Sequence, residues 1–181
     1  MDLNHSAALR RFAAAPRPLR LPDLLQAADL AADAILRGHY DHLLSEWEYG
    51  HSMAWSARVH CDERLDIWLI GWSPDHVTHL RHRQNSLGAL TVISGSLNEF
   101  HGNANQLIQR RLDSGDQSAF GHPGRHDVFW AQDSRGAQPA IPALSVHVHS
   151  PPLPEMPCYQ RASDTPLRHA RTYLTEHKEA S

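Results

Sequence analysis

Residues 72–99 read WSPDHVTHLRHRQNSLGALTVISGSLNE, and this stretch decides which fold the chain is expected to form. Apolar and polar residues alternate across Val77–Arg83, and an apolar run follows at Ala89–Ile93. The residues at 94–96, Ser-Gly-Ser, mark a turn before the run Leu97–Phe100. Alternation is typical of strands with one buried face, and small polar residues with glycine are typical of turns. The stretch therefore predicts successive short strands.

Further strands are predicted on both sides of this stretch. A β-rich run covers Leu65–Trp72 and ends in Ser-Pro-Asp, which is a turn signal. Shorter runs cover Asp127–Trp130 and Ala143–His149, and the latter is closed by Ser-Pro-Pro. Short strands at this spacing favour a mainly β fold, either a small antiparallel barrel or a sandwich, with a helical cap.

The cap is predicted in the N-terminal part of the chain. Apolar side chains recur at helical spacing over Leu21–Leu36. Pro22 and Asp23 suit the first turn of a helix, and Gly38 suits its end. A second, shorter helix is predicted over Tyr40–Glu48.

The composition argues against several classes of protein. The chain has 181 residues, which suits one domain, and it lacks an apolar run of about 18 residues that could span a membrane. A net charge of −3 and a pI near 6.6 provide no basic surface for nucleic acid. The start, MDLNH, does not resemble a secretory signal, and two cysteines are too few for a disulfide scaffold. We therefore expect a cytoplasmic protein without a nucleic-acid or membrane partner.

Its 15 histidines invite a metal hypothesis.

Two motifs resemble those of the cysteine dioxygenase family of cupins. Residues 72–99 are similar to the family's first motif, WxPGxxTxxHDHxxSxG followed by a hydrophobic strand and GxLxE. Residues 143–153, ALSVHVHSPPL, are similar to its SxHxYSPP segment. His126, followed by Asp-Val, resembles a His-x-Val segment of the family.

The resemblance implies a domain organisation. It covers roughly residues 50–155 and implies a cupin barrel of six to eight strands, of the jelly-roll type, over residues 51–160. Residues 1–50 would form a helical lead-in packed on the barrel, and residues 161–181 a polar C-terminal tail.

The resemblance also implies a site at the barrel mouth, where the family holds one Fe(II) on three neutral imidazoles and leaves positions for a thiolate, an amine and O2. His126 stands at the third ligand position, and Arg58 is placed like the family's arginine for the substrate carboxylate. Ser145 and His147 match a relay that holds a family tyrosine, and His149 stands in that tyrosine's place. Alternation puts Ser145, His147 and His149 on one inward face. Imidazole titrates near neutral pH, so His126, His147 and His149 are predicted catalytic residues. Ser145 is predicted with them as their hydrogen-bonding partner.

The chain departs from the family where the other two iron ligands belong. An alignment without gaps places Arg81 and Arg83 at the positions of the family's first two ligand histidines. Arginine stays protonated and offers no lone pair to a metal. Together with Arg58, these residues predict an anion-binding pocket that holds the substrate. Alternatively, Arg81 and Arg83 extend to the barrel rim and pair with acidic side chains.

A shifted metal site is the remaining route to a metal cofactor. His79 has the same strand parity as Arg81 and therefore points inward. His79 and His126, completed by His122 or His149, could supply three nitrogens to iron or zinc. The alternative is a site without a metal.

These features predict a divergent cysteine dioxygenase-like cupin that acts on a small anionic molecule bearing a carboxylate or a thiol. The family activity would be O2-dependent oxygenation of a thiol to a sulfinate. The alternatives are a non-catalytic cupin that senses an anionic metabolite, and a tailoring enzyme of secondary metabolism with a shifted histidine site. An exposed barrel edge would allow a homodimer.

Overall fold

The structure is a computed structural model, and it describes most of the chain between its two termini. The described residues are 9–12, 14, 17–49, 55–72, 76–78, 86–102, 107–121, 125–131, 142–153 and 159–160. The predicted tail at 161–181 lies outside them. Within the described ranges, no helix is long and apolar enough to cross a membrane.

In the described part of the chain a short helical segment at residues 9–12 and two longer helices precede the strands, α1 at Leu21–Leu36 and α2 at Asp41–Tyr49. The Asp23 carboxylate accepts a hydrogen bond of 2.8 Å from the backbone N–H of Arg20 and so caps the start of α1. Gly38 follows the helix with a φ of 82°, a conformation that glycine adopts without strain. α1 lies where the apolar spacing predicts it, and α2 overlaps the helix predicted over Tyr40–Glu48.

The remaining elements are ten strands in the described part of the chain, all paired antiparallel. Their bounds are β1 Trp55–Cys61, β2 Asp66–Trp72, β3 His76–Thr78, β4 Leu87–Ser94, β5 Ser96–Gly102, β6 Leu107–Asp113, β7 Gln117–Phe120, β8 Arg125–Trp130, β9 Ala143–Ser150 and β10 Tyr159–Gln160. Sheet one has the strand order β1-β2-β9-β4-β7, and sheet two has the order β10-β3-β8-β5-β6.

The ten strands in the described residues exceed the six to eight that the family resemblance implies, and β6 and β7, at the edges of different sheets, are two that no local sequence pattern predicts. β6 carries Arg110 and Arg111 side by side at its centre, and β7 is only four residues long. Neither sequence has the apolar alternation that marks a strand. β6 pairs with β5 and β7 pairs with β4. These neighbouring strands stabilise the extended conformation that the local sequence does not favour, because strand formation depends strongly on context.

Sheet one has two buried faces, and they belong to different clusters. Its outer face packs under α1 through alternate residues of β2 and β9, namely Ile67, Leu69, Leu144, Val146 and Val148. Its inner face meets sheet two in a second cluster: Ile70, Trp72, Leu90, Val92, Leu97, Leu112, Phe120, Val128 and Ala143. Because side chains alternate along a strand, the polar residues between the outward apolar ones point into the barrel.

Candidate functional site

One row of side chains crosses the inner face of sheet one and defines the candidate site. Strand register pairs Asp66 with His149, His149 with Gly88, and Gly88 with Phe120. The side chains of Asp66 and His149 are fully buried, and His149 Nδ1 lies 3.5 Å from Asp66 Oδ1. A carboxylate and an imidazole thus lie side by side in the barrel interior.

The second oxygen of Asp66 connects this row to the end of β9. Asp66 Oδ2 accepts hydrogen bonds from the indole of Trp68 at 2.7 Å and from the backbone N–H of Leu153 at 3.0 Å. The guanidinium of Arg58 lies over the Trp68 ring, 4.4 Å from its centroid, and donates to the Leu153 carbonyl at 3.1 Å. Arg58 is therefore held next to the Asp66–His149 pair by a cation–π contact and a backbone hydrogen bond.

Phe120 lies between the two sheets because Gly88 has no side chain. A Cβ at Gly88 would lie 2.0 Å from Phe120 Cε2, closer than any real contact. The Phe120 ring stacks on the His126 imidazole, with centroids 3.8 Å apart and planes at 16°. Its centroid is 6.1 Å from that of His149. Phe120 thus provides an apolar contact for both inward histidines.

Glu99 forms a second carboxylate–imidazole pair with His126, from sheet two. The carboxylate is buried, and its Oε1 lies 2.8 Å from His126 Nε2 and accepts a hydrogen bond from the Ser118 hydroxyl. Its Oε2 lies 3.1 Å from a guanidinium nitrogen of Arg110 and 3.9 Å from Nδ1 of His101. Both oxygens of the buried carboxylate are thus surrounded by donors or positive charge.

These contacts set the charges of the pair. Burial opposes ionisation of Glu99, but hydrogen bonds from His126 and Ser118, with the nearby charges, outweigh it and place its pKa below the ordinary value of 4.5. Burial lowers the pKa of His126 below its ordinary 6.5, and the Glu99 carboxylate offsets only part of that shift. At neutral pH the pair is therefore an ionised carboxylate and a neutral imidazole.

A third group continues the inward row of β9, as the alternation predicts. The Trp72 indole donates to Ser145 Oγ at 2.8 Å, and His147 Nε2 lies 3.0 Å from the same oxygen. Ser145, His147 and His149 are all completely buried. The hydroxyl of Ser145 thus joins the two ring systems in the interior.

We expect Ser145→Ala to lower the free energy of unfolding by about 1–3 kcal/mol, because the buried indole N–H of Trp72 loses its acceptor. Urea denaturation measures the effect. Ser114→Ala, at an exposed turn hydroxyl, is the matched control and should change the stability by less than about 0.5 kcal/mol. Equal stability of the two variants would show that the Ser145 hydroxyl is not needed.

The structure brings together five of the residues named from the sequence and two groups that were missed. His126, His149, His147 and Ser145 are buried in the barrel, and Arg58 lies exposed on β1 against the Trp68 ring, whereas His79, Arg81 and Arg83 lie outside the described residues. The two buried carboxylates, Asp66 and Glu99, were not predicted as site residues. Glu99 ends the GxLxE motif, and that position was the available signal.

The donors among the described residues do not form a centre of three histidines on iron. In the described ranges, no group of three or more His, Cys, Asp or Glu side chains is placed to hold a metal ion. His126 Nε2 already faces Glu99, and the ring face is covered by Phe120. At the two remaining positions of the family motif the chain has arginines, which do not ligate metals.

The mainly β fold is that of a cupin with N-terminal helices, and the family follows from the sequence match. The chain belongs to the cysteine dioxygenase type I family, whose family model matches residues 13–162. Members of this family are typically metal-dependent. No curated protein matches the sequence.

Several solved structures are similar to this chain in fold. The cupin domain of Cnp3 from Schizosaccharomyces pombe is 7% identical with a TM-score of 0.43, and the match covers 52% of this chain and 59% of that chain. KdgF from Halomonas sp. is 18% identical with a TM-score of 0.42, over 56% of this chain and 82% of that chain. An RmlC-like cupin with a double-stranded β-helix fold from Methanocaldococcus jannaschii is 13% identical with a TM-score of 0.44, over 55% of this chain and 82% of that chain. The prediction of a mainly β cupin with N-terminal helices is confirmed.

Proposed function

We propose that this protein binds a small anionic molecule, bearing a carboxylate or a thiol, inside the barrel and acts on it by acid–base chemistry. The observation that carries the proposal is the presence of two buried carboxylate–imidazole pairs, Glu99–His126 and Asp66–His149, whose imidazoles are both next to the Phe120 ring. Buried, paired groups of this kind are typical of functional sites, because burying them costs stability.

Arg58 supplies the anion contact in this proposal. Its guanidinium is fixed on the Trp68 ring beside Asp66, and a planar guanidinium with five donors matches a carboxylate in two-point contact. Its bond to the Leu153 carbonyl uses one nitrogen and orients the group. Arg81 and Arg83 would add positive charge to the same pocket.

His126 and His149 supply the proton transfers. A neutral His126 next to an ionised Glu99 can accept a proton from the ligand, because the carboxylate stabilises the imidazolium that forms. His149 is placed likewise next to Asp66. The family activity, oxygenation of a thiol to a sulfinate, would need a metal on ligands other than the arginines at 81 and 83.

Ligand binding tests the proposal through thermal stability. Cysteine, 3-mercaptopropionate and succinate should each raise the Tm. At a hundredfold excess over Kd, the free energy of unfolding should increase by about 2.7 kcal/mol. Cysteamine, which lacks a carboxylate, is the control ligand and should have little effect. Arg58→Gln should abolish the stabilisation. Arg111→Gln, which removes an exposed arginine paired with Asp113, should retain it. Stabilisation that survives Arg58→Gln would exclude this anion contact.

Metal analysis of the purified protein separates the proposal from its rivals. We expect no stoichiometric iron, because arginines stand at two of the three ligand positions of the family motif. Stoichiometric iron that is lost in His126→Ala would instead support the family's oxygenation chemistry at a shifted site. If carboxylates bind but are recovered unchanged, the protein is a binding cupin and the acid–base step is wrong.

A further inference from the structure

We infer, building on the function proposed above, that Glu99 is the positioning residue of the site, and that it fixes the proton of His126 on Nε2 and the lone pair on Nδ1. Nδ1 is then the ring nitrogen that carries the lone pair and can accept a proton or a hydrogen bond. Glu99 touches no ligand in this arrangement and acts only through His126.

The position of the carboxylate carries this inference. Glu99 Oε1 lies 2.8 Å from His126 Nε2 inside the barrel, and an ionised carboxylate oxygen can only accept. The nitrogen facing it must therefore carry the proton. A hydrogen bond of this kind from one ring nitrogen determines which atom of the imidazole is left for chemistry.

The ring cannot easily escape this arrangement by turning over. Phe120 covers one face of the imidazole at a centroid distance of 3.8 Å, and only 3% of the His126 side chain is exposed. A ring flip would take Nε2 away from Glu99 and leave a buried carboxylate oxygen with one donor fewer.

The other groups around Glu99 make a Gln substitution informative. Arg110 lies 3.1 Å from Oε2, and a guanidinium offers only donors, so the amide oxygen of a glutamine should take the Oε2 position. The amide NH2 then occupies the Oε1 position and donates to His126 Nε2. The proton of the imidazole is forced onto Nδ1, and the tautomer is reversed without a change in size.

The tautomer is measured by NMR on protein labelled with ¹⁵N-histidine at pH 7.5, with no ligand added. The His126 signals are those absent from a His126→Gln sample. Wild-type protein should show a protonated Nε2 and an unprotonated Nδ1, and Glu99→Gln should show the reverse. Ser118→Ala removes the other donor to Oε1 but keeps the carboxylate, and it should show the wild-type pattern.

Several outcomes would overturn the inference. In the wild type, a proton on Nδ1, or on both nitrogens, would show that Glu99 does not set the tautomer, and this result needs only the His126→Gln sample used for assignment. An unchanged tautomer in folded Glu99→Gln would show the same. The NMR measurement contains no ligand and is therefore independent of ligand binding. If the wild type shows the expected tautomer but carboxylates do not raise its Tm, the proposed function is disproved and the role of Glu99 stands.

Discussion

Phe120→Ala is expected to lower the free energy of unfolding by about 3–5 kcal/mol, the range for removing a large buried aromatic side chain. Phe120 is 6% exposed, and its ring fills the space between His126, His149 and the backbone of Gly88. Phe100→Ala is the matched control, because that ring is only partly buried and meets Phe129 edge-on. Chemical denaturation should show the larger loss at position 120.

A double mutant tests whether Gly88 and Phe120 depend on each other. Gly88→Ala alone should destabilise by at least about 1–3 kcal/mol, because the new Cβ would lie 2.0 Å from Phe120 Cε2. In the Phe120→Ala background, the same methyl group enters the space that the ring has left. The cost of Gly88→Ala should then disappear, which gives a coupling of the same size as the single effect. Additive losses would disprove direct contact.

Much of the fold could be predicted because it rests on local patterns. Alternation along Ala143–Ser150 placed Ser145, His147 and His149 on one face, and the structure has all three in the interior. The apolar spacing of Leu21–Leu36 predicted a helix with one buried side, which covers sheet one. Patterns of this kind depend only on residues near in sequence.

The candidate site was harder to predict because its pairs form between strands far apart in sequence. Asp66 and Glu99 are acidic residues within strands, and such residues usually face solvent. Their partners His149 and His126 become visible only when the register of β2 with β9 and that of β5 with β8 are known. The role of Phe120 likewise depends on a glycine in another strand, Gly88.

Acidification should destabilise the folded protein, and His126 should account for part of the loss. Burial lowers the His126 pKa below its ordinary 6.5, so the unfolded chain takes up a proton that the folded protein rejects. The stability associated with this group is complete above pH 6.5 and falls as the pH drops towards the lowered pKa of the folded state. The slope is at most about 1.4 kcal/mol per pH unit for one proton.

Urea denaturation from pH 8 to pH 5 measures this slope in the wild type and in His126→Gln. The glutamine amide can still donate to Glu99 but does not titrate. Below pH 6.5 the free energy of unfolding should therefore change less steeply with pH, because the proton taken up by His126 on unfolding no longer contributes. His42→Gln, on the exposed side of α2, is the control and should keep the wild-type slope. The contribution of Glu99 is lost at lower pH, as the pH falls through its own lowered pKa, and so lies largely outside this window. Parallel curves for the wild type and His126→Gln would mean that His126 gains a proton as readily in the folded protein as in the unfolded chain, and that its burial beside Phe120 does not hold it neutral.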